Sequence, residues 1–314
     1  MARRTDNTSL RTARKTKNDE FYTQYADIEN EIMHYRKHFE NKIVCCNCDD
    51  YTWSNFFKYF DDHFTELKLK KLICTCYNEG GKGLFCIKDN KQITEGELNG
   101  NGDFRSDECV ELLKSADIVV TNPPFSLFRE YIAQLMKYDK KFLILGNMNA
   151  VTYKEIYPLF RDNKMWMGYK GMGGKALVFQ CPEENYVEGS QISYKNEQGC
   201  FVGIMGICWF TNLEHDKRTQ PLELKREYIA EDYPKYDNYD AIEIARIKEI
   251  PKNYNGVMGV PISFLDRYCP TQFEIISLMS GAKGDGLTLG TDGKKFSFNG
   301  KGVYARLLIS AVQR

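Results

Sequence analysis

The chain has 314 residues, and its 43 Lys and Arg residues balance 43 Asp and Glu residues to a formal net charge of zero. A hydrophobic fraction of 42% and a charged fraction of 27% are typical of a globular protein, and they exclude disorder, collagen-like repeats and coiled coils. Because no apolar run approaches the roughly 18 residues of a membrane span, and the first residues lack the apolar core of a signal peptide, we expect a cytoplasmic protein.

The N-terminus is more basic than the rest of the chain. Residues 1–17 contain six basic residues and a single acid, Asp6. A short basic arm of this kind can contact phosphate groups, or it can be a solvated tail. We define residues 1–18 as the basic N-terminal arm.

Apolar runs that alternate with amphipathic stretches predict an α/β fold. The predicted strands are residues 43–48, 71–77, 117–122, 141–147, 165–169, 176–181 and 207–213. Helical spacing predicts three buried helix faces between or before them: Ile28, Ile32, Tyr35 and Phe39; Trp53, Phe56, Phe57, Phe60 and Phe64; Phe128, Tyr131, Ile132 and Leu135. Apolar strands that are separated by helices predict a parallel, doubly wound, Rossmann-like sheet.

The pattern changes at two places along the chain. Residues 84–103 contain the turn sequences KDNK and NGNG and predict a β-rich excursion. Residues 214–256 are charged and Tyr-rich, and the Gly-rich stretch after them contains short strand-like pieces. We therefore predict a catalytic domain over residues 19–213 and a smaller recognition region, residues 214–314, packed on it.

The eleven cysteines raise the question of disulfides or a metal site. An odd number in a chain without a leader favours reduced thiols. Cys45, Cys46 and Cys48 form one cluster and Cys74 and Cys76 another, but both lie in apolar runs that resemble buried strands. The spacing does not fit a zinc site, and we predict core thiols and no metal.

The most informative motif is TNPPF, residues 121–125, between an apolar strand and a predicted helix. Ligands of open α/β sheets bind at the carboxyl ends of strands. The two prolines fix the backbone and remove two N–H donors, so the Asn122 side-chain oxygen and the Pro123 carbonyl remain as acceptors. Two acceptors suit an exocyclic NH2 group, and Phe125 offers a flat surface for the ring that carries it. The alternative is a simple Asn-Pro turn.

NPPF resembles the hallmark of S-adenosylmethionine-dependent methyltransferases that produce N6-methyladenine. The whole chain resembles the EcoRI-type adenine-specific DNA methyltransferases. The segments that carry the resemblance are DEFYTQYADIENE (19–31), CNCDD and SNFFKYF (47–60), GDF (102–104), TNPPFSLFREYI (121–132), WFTNL (209–213) and PISFLDRYCPTQFEI (261–275).

The resemblance implies roles for residues that match the family's motifs. It implies the catalytic motif Asn122, Pro123, Pro124 and Phe125, with Asn122 also bordering the cofactor. Phe21, Tyr22 and Thr23 resemble the segment over the methionine part of the cofactor, although the alternative is an N-cap. Asp49 or Asp50 supplies an acid for the methionine ammonium, and the glycine-rich turn usual at this point is missing. Asp103 and Phe104 would hold the cofactor's adenine, unless they form a plain turn. Glu79 is the nearest candidate for the ribose, and it can equally be a solvated charge.

A methyltransferase of this kind acts on an adenine that has been flipped out of double-stranded DNA. Trp209 or Phe210 could form the wall opposite Phe125, although core packing is the expected role of at least one of them. With DNA as substrate, Arg11, Arg14, Lys15 and Lys17 of the basic N-terminal arm become candidates for phosphate contact. The expected location is the cytoplasm of a prokaryotic or phage-infected cell, with the enzyme on the nucleoid when it is bound to DNA. The enzyme could belong to a restriction-modification system, act without a partner nuclease, or be encoded by a phage.

Two other classes of function remain open from the sequence. The same chemistry could act on RNA adenine or on a protein glutamine amide, although Phe125 favours adenine. Alternatively, the chain could be a methyltransferase-like module that binds DNA or cofactor without turnover. The recognition sequence, the residues that read bases and the oligomeric state are not encoded in any motif that we can identify.

Overall fold

A computed structural model of the chain describes residues 22–172, 176–183, 186, 192–279, 296–303 and 305–312. The chain divides into two compact units. The first comprises Met1–Met148 and Met172–Leu213, and the second comprises Asn149–Gly171 and Glu214–Arg314. Within the described ranges, no helix is long and apolar enough to cross a membrane.

The secondary structure alternates between strands and helices through the first unit and is mainly β in the second. The strands are β1 Tyr22–Thr23, β2 Ile43–Asn47, β3 Lys71–Cys76, β4 Leu84–Asp89, β5 Ile93–Glu97, β6 Ile118–Thr121, β7 Lys141–Asn147, β8 Trp166–Met167, β9 Leu177–Cys181, β10 Ser193–Asn196, β11 Gly199–Ile204, β12 Ile207–Thr211, β13 Lys235–Tyr236, β14 Tyr239–Glu243, β15 Met258–Pro261, β16 Phe273–Met279, β17 Ser297–Phe298, β18 Lys301–Gly302 and β19 Arg306–Ala311. The α-helices are α1 Tyr25–Ile32, α2 Asn55–Asp62, α3 Asp107–Ser115, α4 Phe128–Lys137 and α5 Tyr157–Arg161. The 3-10 helices are Met33–His38, Phe125–Leu127, Met148–Thr152, Asp216–Thr219, Ala230–Asp232, Ile247–Glu249 and Ile262–Arg267.

The main sheet of the first unit has the order β5-β4-β3-β2-β6-β7-β12. Its four central strands, β3, β2, β6 and β7, run parallel. Their side chains are almost all buried, as expected for parallel strands that are covered on both faces. The strand order reverses between β2 and β6, because β2 has β3 on one side and β6 on the other. In open α/β sheets, this reversal is the place where ligands bind.

The outer strands make the sheet mixed rather than purely parallel. β12 pairs antiparallel with β7, and the β4–β5 hairpin is added antiparallel beyond β3. This hairpin is the β-rich excursion that the sequence predicts over residues 84–103. The predicted strand over residues 176–181 is also confirmed as a strand, β9, but it lies outside the main sheet.

The helices of the first unit follow the predicted apolar faces closely. Ile28, Ile32, Tyr35 and Phe39 are fully buried, although the second half of this segment is 3-10 rather than α-helical. α4 packs near β7 because Gly146 leaves room for the Phe128 ring, since a Cβ at Gly146 would lie 2.5 Å from that ring. The prediction is wrong for Trp53, which precedes α2 and is 50% exposed.

A second, antiparallel sheet of the first unit has the order β1-β9-β11-β10. Tyr22 and Thr23 of β1 pair with Gln180 and Phe179 of β9. This pairing fixes the backbone of Tyr22 and Thr23, which belong to the segment that resembles the family's FYT motif.

The second unit contains a five-stranded sheet of order β13-β14-β15-β19-β16. β14 and β15 are parallel and the other neighbours are antiparallel. A cluster of Tyr236, Ala241, Met279, Phe296 and Leu308 is buried against this sheet. The predicted strand-like pieces of the Gly-rich C-terminal stretch are confirmed as β17 and β19.

Candidate active site

A cavity of about 860 Å³ lies in the first unit at the carboxyl ends of β2, β3 and β6. This volume falls in the range of small-molecule and cofactor sites. The cavity gathers predicted site residues from four separate segments. These are Tyr22, Thr23, Asp49, Asp50, Asp103, Phe104, Asn122 and Pro124. Phe21, Arg11, Arg14, Lys15 and Lys17 lie outside the described residues.

Asp49, which follows β2, is buried and accepts hydrogen bonds on both carboxylate oxygens. Ser54 donates to Oδ1 at 2.7 Å, and Thr121 donates to Oδ2. Burial raises the pKa of Asp49 to about 6, although the two hydroxyl hydrogen bonds act in the opposite direction. Ser54 is also the N-cap of α2, where its hydroxyl accepts from the Phe56 amide. Asp49 therefore ties α2 to the end of β6.

Asp50 is half-buried and has a different set of partners. Its Oδ1 accepts from the amide and the hydroxyl of Thr52, at 2.8 and 2.7 Å. No donor within the described part of the chain reaches its Oδ2. Asp50 can therefore offer one carboxylate oxygen to a ligand, whereas each oxygen of Asp49 already has a protein donor.

Thr23 contributes a buried hydroxyl to the cavity wall. The residue is 4% exposed, and its hydroxyl has no hydrogen-bond partner among the residues that the structure describes. Its backbone carbonyl accepts from the Asn55 side chain at 2.8 Å, which connects β1 to the start of α2. A buried polar atom without a partner is unfavourable, and a polar ligand group in the cavity would satisfy it.

Asp103 lines the cavity and is held by Arg105. Arg105 donates to Oδ1 from its amide and Nε, at 2.8 and 2.9 Å, and to Oδ2 from Nη2 at 2.6 Å. This guanidinium lowers the pKa of Asp103 and also contacts Glu130 at 2.8 Å. The Oδ2 atom accepts one hydrogen bond, so a carboxylate lone pair remains for a ligand.

The glycine before Asp103 fixes the course of this loop. Gly102 has φ +80°, and a Cβ there would overlap the carbonyl oxygen of Cys76 at the end of β3. Only glycine combines this conformation with such a close approach. The next aromatic residue, Phe104, is buried at the cavity wall and contacts Tyr131 edge-on at 5.0 Å.

The four NPPF residues lie at the end of β6, but they differ in position. Asn122 and Pro124 line the cavity, whereas Pro123 is buried. Phe125 is half-buried, begins a 3-10 turn before α4 and does not line the cavity. The structure thus places one end of the motif at the cavity and the aromatic residue beyond it.

Trp209 and Phe210 do not form a wall of the site. Both lie in β12 and are at most 1% exposed. Trp209 packs edge-on against Phe56 at 5.9 Å, and Phe210 packs against Phe128 at 5.1 Å. The suggestion that one of them faces Phe125 as an opposite wall is therefore wrong, because core packing accounts for both side chains.

Sequence reasoning missed two aromatic residues of the cavity, Trp53 and Tyr77. Both line it, and they are 50% and 54% exposed. The spacing of Trp53 with Phe56 and Phe60 concealed it, because that spacing is also typical of a buried helix face. Its position directly after the CNCDD loop was the available signal.

The two cysteine clusters lie in neighbouring parallel strands. Cys46 of β2 is opposite Cys74 of β3, and both are fully buried. Burial raises the pKa of both thiols well above the ordinary value. Within the described ranges, no group of three or more His, Cys, Asp or Glu residues is arranged to hold a metal ion.

The cavity is acidic in character. Asp49, Asp50, Glu79 and Asp103 line it together with a single basic residue, Arg105. This set suits a ligand that carries positive charge and amine or hydroxyl donors.

Comparisons with known proteins give a consistent result. The family model described as "Adenine-specific methyltransferase EcoRI" matches residues 9–92 and 81–310. The chain is 46% identical to the type II methyltransferase M.EcoRI of Escherichia coli, over 98% of both chains. It is 41% identical to M.MgeORF184P of Mycoplasma genitalium, over 96% of this chain and 98% of the relative. It is 39% identical to M.MpnI of Mycoplasma pneumoniae, over 96% and 97%. No solved structure matches the chain significantly.

Matches of this extent show the family and confirm the resemblance that the NPPF, FYT and GDF segments carry. The chain belongs to the EcoRI-type adenine-specific DNA methyltransferases, site-specific enzymes that take their methyl group from S-adenosylmethionine.

Proposed function

We propose that the cavity binds S-adenosylmethionine, and that Asn122, Pro123, Pro124 and Phe125 present a flipped-out adenine of double-stranded DNA for methylation at N6. The observation that carries this proposal is that the NPPF motif directly follows β6 at the cavity, and that Thr23 and the acidic residues line the same cavity. Neither the motif nor the acidic lining would support the proposal alone, since Asn-Pro turns are common and acidic cavities bind many kinds of ligand.

The amino-acid end of the cofactor fits the residues around β1 and the β2 loop. The buried Thr23 hydroxyl, which has no partner in the described part of the chain, is available to the carboxylate of the methionine moiety. The Oδ2 atom of Asp50 is available to the ammonium group. Asp49 acts indirectly, because its oxygens are engaged by Ser54 and Thr121.

The nucleoside end fits the residues that follow β3 and precede α3. The remaining lone pair of Asp103 can accept from the cofactor's adenine amine, and Phe104 offers its ring to the base. Glu79 is exposed at the cavity after β3, where it can accept from the ribose hydroxyls. The placement of acids at both ends complements a cationic ligand that is rich in donors.

The chemistry requires acceptors rather than a strong base. When bound, S-adenosylmethionine supplies an electrophilic methyl group. The Asn122 side-chain oxygen and the Pro123 carbonyl each accept a hydrogen bond from the adenine NH2 group and draw its nitrogen toward sp³ geometry. Phe125 lies beyond the cavity, where it can stack on the extruded base. Positive charge that develops on the nitrogen is stabilised by these fixed acceptors, and the proton leaves after methyl transfer.

The first unit is a Rossmann-like methyltransferase fold in this proposal, because its parallel strands reverse order at the cavity. The second unit is the target-recognition region, and it includes residues 149–171 in addition to residues 214–314. The basic N-terminal arm contacts phosphates. A restriction endonuclease of the same specificity is the expected functional counterpart, without direct binding, and the enzyme acts on the nucleoid.

The decisive experiment uses purified protein, tritiated S-adenosylmethionine and three substrates: DNA, RNA and a protein extract. We expect label in DNA, recovered as N6-methyladenine after digestion. Label in RNA or in glutamine would overturn the proposed substrate. Binding of DNA and cofactor without any transfer would instead indicate a module that binds but does not catalyse.

A further inference from the structure

Trp53 and Tyr22 form an aromatic contact at the cavity that the proposed catalytic scheme does not use. Their ring centroids are 4.1 Å apart with an angle of 61° between the ring planes. Both residues line the cavity. Trp53 is 50% exposed, so its ring is accessible to a ligand in the cavity.

Both rings are attached to hydrogen-bonded segments of the backbone. Tyr22 belongs to β1, which is hydrogen-bonded to β9. Trp53 lies in a turn that begins at Asp50, which accepts from Thr52, and ends at the Ser54 N-cap of α2. The Trp53 amide also donates to the Asp50 carbonyl at 3.2 Å. The backbone that carries the aromatic pair is thus positioned by contacts within the fold.

The neighbours of the pair identify the part of the ligand that it meets. Tyr22 precedes Thr23 in the sequence, and Trp53 lies in the turn that begins at Asp50. Because Thr23 and Asp50 are the residues that we assign to the amino-acid end of the cofactor, both rings lie near that end. In S-adenosylmethionine, two methylene groups separate the α-carbon of that end from the positively charged sulfonium. After methyl transfer, the same atom is the neutral thioether of S-adenosylhomocysteine.

We propose that Trp53 and Tyr22 form an aromatic wall that recognises the sulfonium charge, so that the site binds the methyl donor more tightly than its demethylated product. The electron-rich faces of aromatic rings attract cations, and tryptophan does so most strongly. The proposal rests on the assignment of the cavity as the cofactor site. It adds a selectivity between donor and product that the acids cannot provide, since the ammonium group that they meet is present in both molecules.

The test is a titration calorimetry comparison of S-adenosylmethionine and S-adenosylhomocysteine, without DNA and without turnover. We expect Trp53→Leu to weaken donor binding by about five- to tenfold and product binding by at most about twofold. Trp53→Phe retains a ring and should keep most of the selectivity. Because Trp53 is exposed, these variants should fold, and circular dichroism checks that they do.

Two matched variants provide the controls. Tyr77→Leu removes an exposed aromatic residue from the other end of the cavity and should weaken both ligands equally. Tyr194→Leu removes an exposed tyrosine from β10, outside the cavity lining, and should change neither. Fluorescence gives an independent readout, because Trp166 and Trp209 are buried and Trp53 is exposed. Ligand-induced quenching should disappear in Trp53→Phe.

The outcomes separate this inference from the proposed function. Equal losses of donor and product affinity in Trp53→Leu would show ordinary packing or contact with the ammonium, and would overturn the sulfonium assignment alone. A wild-type protein that binds neither molecule would overturn the assignment of the cavity itself.

Discussion

Thr121 donates a hydrogen bond to the buried carboxylate of Asp49, and this bond joins the carboxyl ends of β6 and β2. Thr121 immediately precedes Asn122, and Asp49 also holds Ser54, the N-cap of α2. The proposed catalytic motif is thus connected to the cofactor loop through one carboxylate. Because this carboxylate is buried, its charge is unfavourable for folding.

The first prediction concerns the pH dependence of stability at Asp49. Its pKa is raised from 3.8 to about 6 in the folded state. The folded state therefore binds more protons than the unfolded state between these values, and stability decreases as pH rises through this window. A difference of about two units corresponds to about 3 kcal/mol. An asparagine cannot titrate, so the Asp49→Asn variant should not show this loss of stability with rising pH.

Urea unfolding of wild type and Asp49→Asn at pH 4.5 and pH 8 measures the effect. We expect the stability of the variant relative to wild type to increase by about 2 kcal/mol from pH 4.5 to pH 8, because about 1 kcal/mol of the total effect is already present at pH 4.5, above the unfolded pKa of 3.8. Contributions of other groups cancel in the comparison. If the difference in stability between the variant and wild type were the same at both pH values, Asp49 would have an ordinary pKa.

The second prediction separates the two acids of the β2 loop in cofactor binding. Asp50→Asn should weaken S-adenosylmethionine binding by roughly 1.5–3 kcal/mol, the contribution of a charged hydrogen bond. Asp49→Asn should have a smaller effect, because both of its oxygens already accept from protein hydroxyls. Titration calorimetry of the two variants decides between them. The reverse order of losses would assign the methionine ammonium to Asp49.

The third prediction concerns turnover. Asn122→Ala removes one of the two acceptors that we assign to the adenine amine, and the Pro123 carbonyl remains. We expect the rate of methyl transfer to decrease by about 10²–10³, as for other positioned groups that act in a transition state. Cofactor affinity should change far less than the rate. Single-turnover methylation measures the rate, and a near-normal value would show that the active site lies elsewhere.

The fourth prediction tests Asp103 with a matched control. Asp103→Ala should weaken cofactor binding by roughly 1.5–3 kcal/mol. Its control is Glu130→Ala, which removes the other acidic partner of Arg105 but does not line the cavity. Calorimetry should show unchanged affinity for the control. Equal affinities of both variants and wild type would make Asp103 a turn residue that only orients Arg105.

Much of the first unit's framework could be predicted from local pattern. β2, β3, β6, β7 and β12 are confirmed within two residues, because buried parallel strands are short apolar runs that stand out between polar segments. The pattern could not show which strands share a sheet. β9 was predicted from an apolar run, as the strands of the main sheet were, but it pairs with β1 and β11 in a separate sheet. Pairing depends on contacts between distant segments.

The site was only partly predictable for the same reason. NPPF could be recognised because strand, motif and helix are contiguous. The difference between Asp49 and Asp50 could not be predicted, because it depends on Thr121, which lies 72 residues away from Asp49. The role of Trp53 was predicted wrongly, and Trp209 was left open between core packing and a wall of the site, since an aromatic residue in an apolar stretch can face the core or a ligand. Only the position of the chain in three dimensions distinguishes the two.

The last prediction concerns the basic N-terminal arm, which lies outside the residues that the structure describes and is considered only from its sequence. Deletion of residues 1–17 removes six cations and one anion and leaves every residue of the cavity in place. If the arm contacts phosphates, DNA affinity should decrease for all sequences, and the salt slope should decrease by about one unit per lost contact.

Sequence preference should not change on this deletion, because phosphate contacts position a protein without specifying bases. The measurement compares cognate and non-cognate duplexes at several salt concentrations, for the full-length and the truncated protein. Identical salt slopes would make the arm a solvated tail. A loss of specificity at constant non-cognate affinity would instead mean that the arm reads bases, as arms that enter the minor groove can. We expect the uniform loss, since the four cations Arg11, Arg14, Lys15 and Lys17 fall within seven residues and such clustered charge binds the phosphate backbone regardless of sequence.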